Sequence, residues 1–164
     1  MIMMKKLLTV CLLSLSALSL AAQRTLHAVG VHFGGSTMDF EYQYHFSNRN
    51  FLDVTAGVFD LDRGFMTQCV YNWNVCQWKD WTPNFASWKL WAGFGAGAGF
   101  YDHHDSDGFL CGPVGTVGFG FTAKDVPLTI GVDYRPMVAV LLGDDSDIIS
   151  AGFRNVGVTL TYRF

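Results

Sequence analysis

Over residues 38–46 apolar and polar side chains alternate without a fault. Met38, Phe40, Tyr42, Tyr44 and Phe46 fall on one side, and Asp39, Glu41, Gln43 and His45 on the other. A period of two is what a β-strand with one apolar and one polar face produces. Eight runs of this kind divide the chain: 26–34, 38–46, 51–59, 65–76, 88–100, 110–122, 128–141 and 149–164. Breaks rich in Gly, Asn, Asp, Ser and Pro separate them, among them GGST, SNRN, DLDRG, AKDVP and GDDSD, with Pro83 and Asn84 inside the break 77–87 and an acidic break at 101–109. Such breaks are turn chemistry. In the last run the phase fails near Phe153 and Arg154, which predicts a bulge or an end there. No stretch after the leader approaches the roughly 20 apolar residues of a membrane helix, and no segment carries a helical period.

The final strand, 155–164, reads NVGVTLTYRF and ends on an aromatic. Val156, Val158, Leu160, Tyr162 and Phe164 are its apolar positions. This ending resembles the closing strand of bacterial outer-membrane β-barrels. The resemblance implies that Leu160, Tyr162 and Phe164 form an assembly signal read by the outer-membrane assembly machinery. Eight antiparallel strands of about ten residues suit the smallest membrane barrels. Strands of that length cross hydrocarbon when tilted, and closing the sheet satisfies every backbone amide, as lipid requires. The predicted fold is therefore all-β: an eight-stranded antiparallel up-and-down transmembrane β-barrel over residues 23–164. It is similar to the transmembrane domain of outer membrane protein A and its small relatives. The likeness covers 26–164 and rests on pattern and ending.

Alternation alone does not say which face points inward, and a soluble barrel such as a lipocalin would hide the apolar one. Three features select the membrane arrangement. One is the leader, residues 1–22: Lys5 and Lys6, then an apolar region over 7–20, then small residues at Ser19, Ala21 and Ala22. This is the make-up of a cleaved signal peptide. Its alternative, lipoprotein processing at Cys11 in LTVC, has the wrong residue before the cysteine, Val10. The second feature is the terminal Phe164. The third is the aromatics: Trp73, Trp78, Trp81, Phe85 and Trp88 gather about one turn, with Tyr44, Phe46, Phe51, Phe119, Phe121, Tyr162 and Phe164 expected beside them in an interfacial girdle. The polar face then becomes an interior network of Asp39, Glu41, Asp53 and Asp133, with Lys89, Arg135 and Arg163 as expected partners, because buried charge is tolerated only when paired. Glycines along the fifth and sixth runs leave room for long side chains. An eight-stranded lumen is just wide enough to be filled, so a polar plug is expected.

Composition narrows the function. Half of the 164 residues are apolar and 15% are charged. Without the leader, nine basic residues face 14 acidic ones, a net of about −5 with His neutral, and no basic patch remains for nucleic acid. Three cysteines are left, Cys69, Cys76 and Cys111. An odd number does not build an internal disulfide framework, and no Cys/His spacing suggests zinc. The odd-to-even connections are acidic, with Asp60, Asp62, Asp102, Asp105, Asp107, Asp144, Asp145 and Asp147 against Arg63. Asp102, His103, His104, Asp105 and Asp107 are candidates for a divalent cation, although the order fits no calcium loop. No cofactor and no resident metal are implied.

YQYHFSNRN, 42–50, looks like the His-x-Ser-Asn stretch of lipid A deacylases, which implies His45 as base and Ser47 as nucleophile. The chain lacks an acidic residue about a dozen positions on. The expected function is thus non-enzymatic: an integral outer-membrane barrel with a structural or surface-interaction role. Its partners would be outer-membrane lipids and lipopolysaccharide. The alternatives are the deacylase-like hydrolase and a component of an envelope secretion or conjugation complex.

Overall fold

The computed structural model of the protein describes residues 26–60, 63–103, 106–142 and 147–164. The leader lies outside them. The described strands are β1 (His27–Gly34), β2 (Thr37–His45), β3 (Asn50–Phe59), β4 (Gly64–Trp78), β5 (Ala86–His103), β6 (Ser106–Ala123), β7 (Leu128–Tyr134), β8 (Ala139–Leu142), β9 (Asp147–Ile149) and β10 (Val156–Arg163). Each consecutive pair from β1 to β7 is antiparallel. β10 lies between β7 and β1, which closes the sheet into a barrel. β7 with β8, and β9 with β10, serve as the seventh and eighth staves, so the fold is a closed eight-stranded antiparallel up-and-down barrel.

Both of these staves are interrupted. Pro136 breaks the seventh, where a strand interior has no use for a residue without an N–H. Its carbonyl still accepts from Gly115 N at 2.9 Å, and Val138 N reaches Pro113 O at 3.0 Å, so β6 carries both halves. The eighth is interrupted by a 3₁₀ turn, Ser150–Arg154, where the alternation fails. The expected loop at 101–109 is largely strand instead: Tyr101 pairs with Gly108, Asp102 with Asp107 and His103 with Ser106. We call the end bearing Leu26 and Phe164 the turn end and the opposite end the loop end.

The pleat sends the two sets of side chains to opposite sides of the wall, and the apolar set faces out. Phe40, Phe94 and Phe100 are 69%, 67% and 66% exposed, whereas Glu41 and His32 are 0% exposed. Cys69 and Cys76 are exposed free thiols. Around the turn end the outward rings touch in series: Phe164, His27, Tyr44, Phe46, Tyr71, Trp73 and Phe94, with centroids 4.8–6.0 Å apart. A second group joins Trp78, Trp81, Trp88, Phe119 and Phe121. Phe51 does not belong to this belt. It is buried and stacks on His45 inside the barrel, because it shares the phase of Asp53.

The lumen is filled in two unlike halves. At the loop end Phe59, Met66, Leu110, Val114, Met137 and Leu141 form an apolar plug, placed at positions whose phase is inward. The expectation of a wholly polar filling is corrected here: a polar plug occupies the rest of the barrel only. Toward the turn end Trp91 of β5 leans across the wall onto Gly118 of β6 and Gly131 of β7, and a Cβ at either glycine would collide with the indole. Gly118→Val is expected to lower stability by about 1–3 kcal/mol through overpacking, seen as a lower urea midpoint for the refolded barrel with the strand content unchanged at low urea.

Candidate functional site

The inward polar residues come from strands whose register sets their heights. The short connection between β1 and β2 pairs His32 with Asp39. β10 and β7 then bring Thr159 and Asp133 to the same level from the other side of the closure. Arg135 sits just past β7, where Pro136 ends the ladder, and is 2% exposed.

Arg135 Nη2 stands 2.9 Å from Asp133 Oδ2, 3.1 Å from Asp53 Oδ2 and 3.4 Å from Glu41 Oε1. Its Nε donates a second bond to Asp133 Oδ2 at 3.0 Å. His32 supplies the other contacts. Its Nε2 lies 2.9 Å from Asp133 Oδ1 and its Nδ1 3.2 Å from Asp39 Oδ2. Glu41 also accepts from Thr159 Oγ1 and, at 2.6 Å, from Gln43 Nε2. His45 Nε2 donates to Gln43 Oε1 at 3.1 Å, and its Nδ1 accepts from Arg163 Nη2 at 3.0 Å. One connected polar chain thus runs from Asp39 near the loop end to Arg163 at the turn end.

The seven residues expected in the interior divide. Asp39, Glu41, Asp53, Asp133 and Arg135 meet in one cluster. Lys89 and Arg163 are on the inward face but do not ion-pair with these acids. They lie at the turn end, where β5 begins and β10 finishes, so a shared phase does not bring them to the height of the carboxylates. Lys89 Nζ sits 5.4 Å from the Trp91 ring and 5.7 Å from the Phe51 ring instead, a cation–π arrangement. His32 fills the place expected for a second cation. Its signal was available, since a two-residue connection after Gly34 sets His32 opposite Asp39. Not every buried polar atom finds a protein partner: Asp53 Oδ1, Thr55 Oγ1, Gln68 Oε1, Asn72 Oδ1 and Thr116 Oγ1 have none.

The other sequence candidates are separated. Ser47 Oγ donates to Asn50 Oδ1 and accepts from Arg49 N at 3.0 Å, while both nitrogens of His45 are engaged by Gln43 and Arg163. No hydrogen bond joins His45 to Ser47 among the described residues. His104, Asp105, Asp62, Asp144 and Asp145 lie outside the described residues, as do the side chains of His103, Asp107 and Asp147. No cluster able to hold a metal ion occurs among the described residues.

No protein-family model matches the chain. No curated protein matches it either. Among solved structures, the crystal structure of the N-terminal β-barrel domain of Pseudomonas aeruginosa OprF superposes with a TM-score of 0.50. The match covers 84% of this chain and 95% of that one, at 10% identity. The two share a fold. At that identity the likeness to the OprF barrel says nothing of individual side chains, and the lumen described above is read from this chain alone.

Arg135 is the common counter-charge of three buried carboxylates. Arg135→Met is expected to cost about 3–5 kcal/mol, since it removes the one guanidinium that all three carboxylates share and leaves Asp53 and Glu41 without a counter-charge in ion-pair range among the described residues. Adding Asp53→Asn to it should cost less than the sum of the two single variants, because both remove the same ion pair. Urea titration of the four proteins refolded in one detergent measures the cycle.

Proposed function

We propose that this chain is an integral outer-membrane β-barrel protein, exported by a cleaved leader and set in the bilayer with its apolar face to lipid. The observation that carries the reading is the inversion of burial. Large apolar side chains cover the outside of a closed barrel, while Asp39, Glu41, Asp53, Asp133 and Arg135 are sealed inside. In water such an exterior would be a single apolar patch far beyond what soluble monomers expose. In lipid it is the solvated face, and the closed ladder leaves few backbone groups unpaired. The aromatic belt at the turn end fits an interface with lipid headgroups. Leu160, Tyr162 and Phe164 would be read by the assembly machinery, and outer-membrane lipids and lipopolysaccharide would be the immediate neighbours.

The role in this reading is structural or surface-interacting, through acidic connections at the loop end, and non-enzymatic. The ion cluster and the apolar plug together obstruct the lumen, so the barrel does not conduct. In planar bilayers the reconstituted protein should give no steady conductance, and a large stable current would refute the obstruction. Placement in lipid has its own test. Single cysteines at Tyr42, Leu90 and Val158, in a background lacking the native ones, should react with a bilayer-confined label and resist a water-soluble one. The detergent-extracted protein should also change gel mobility on boiling.

A further inference from the structure

The turn end of the lumen opens into a cavity of about 270 Å³. Lys79, Lys89 and Arg163 line it, so three cations meet at one mouth. Lys89 is 8% exposed; its ammonium faces the Phe51 and Trp91 rings, and no carboxylate lies in ion-pair range among the described residues. A largely buried lysine whose ammonium has no acceptor side chain in bonding range and lines a cavity points to an anionic ligand there. Among the described residues the Arg163 guanidinium bonds only to the His45 ring. The carboxylates of Glu41 and Asp53 deeper in the barrel bond to Arg135 and attract Lys89 from beyond ion-pair distance.

A second group sharpens the chemistry. Asn74 Nδ2 donates to Asn48 O at 2.8 Å, which fixes the amide and leaves its Oδ1 as a buried acceptor without a partner. Asn74 lines the same cavity. The mouth therefore offers several positive donors and one acceptor. Hydrogen phosphate has the matching set: anionic oxygens for the ammonium and guanidinium, and one hydroxyl proton to give to an amide oxygen. Sulfate has the charge but no proton. The volume exceeds by several-fold the roughly 30 Å³ that a water occupies, so an oxyanion fits with some of its hydration.

We infer that the turn-end mouth of the barrel is a binding site for inorganic phosphate, held by Lys89 and Arg163 and oriented by Asn74. The inference needs the closed barrel and not its placement in a membrane, so failure of the bilayer reading leaves it standing. Isothermal titration of the full refolded chain with inorganic phosphate near neutral pH should give saturable binding. Lys89→Gln should weaken it by about tenfold or more, and sulfate should bind more weakly than phosphate. Absence of saturation up to about 50 mM phosphate, where millimolar binding would be complete, overturns the site. So does unchanged affinity in Lys89→Gln, while equal affinity for sulfate overturns the assignment to phosphate. Should Lys89→Gln not refold, Arg163→Gln is read by the same criteria.

Discussion

Arg135 and the three carboxylates around it hold the centre of this molecule. A charge taken from water into a narrow lumen is costly unless its counter-charge is fixed at bonding distance. Glu41, Asp53 and Asp133 come from three different strands, and a single guanidinium reaches all of them. That contact is possible only if β2, β3 and β7 stand at one mutual height around a closed wall. The cluster therefore does more than neutralise charge: it discriminates the correct stagger of the staves from slipped alternatives, each of which would strand a carboxylate.

The apolar plug works by a different rule. Phe59, Met66, Leu110 and Leu141 fill space without directional demands, and their contribution grows with the area they remove from water. Packing of this kind fixes volume and leaves register to others. The lumen thus combines a part that specifies with a part that fills, stacked along one axis. Trp91, lying on Gly118 and Gly131, packs beside Lys89 toward the turn end.

Much of this was legible in the sequence, and the reason is geometric. Strand side chains alternate with a period of two whatever the tertiary setting, so the eight runs, both faces and the break near Phe153 could be marked by counting. The opposition of Asp39, Glu41 and Asp53 to the outward rings follows from the same count. Height along the barrel is another matter, because it depends on the stagger of strands far apart in the chain. Phase therefore predicts, for Lys89 and Arg163, acidic partners that stand at another height. Phase alone places Phe51 inside, in parity with Asp53, against the pull of its aromatic character toward the belt. Pro136, inside the seventh run, marks the break between β7 and β8 that apolar alternation alone does not show. The apolar residues on the inward phase at the loop end carried no warning, since a lumen accepts either kind of filling.

The interruption of the last two staves has one more consequence. β8 spans four residues and β9 three, while β5 and β6 run side by side for eighteen each. A short ladder opens locally at lower cost than a long one. Breathing of the wall should therefore begin at the rim where β8 meets β9 and fade toward the long β5–β6 hairpin.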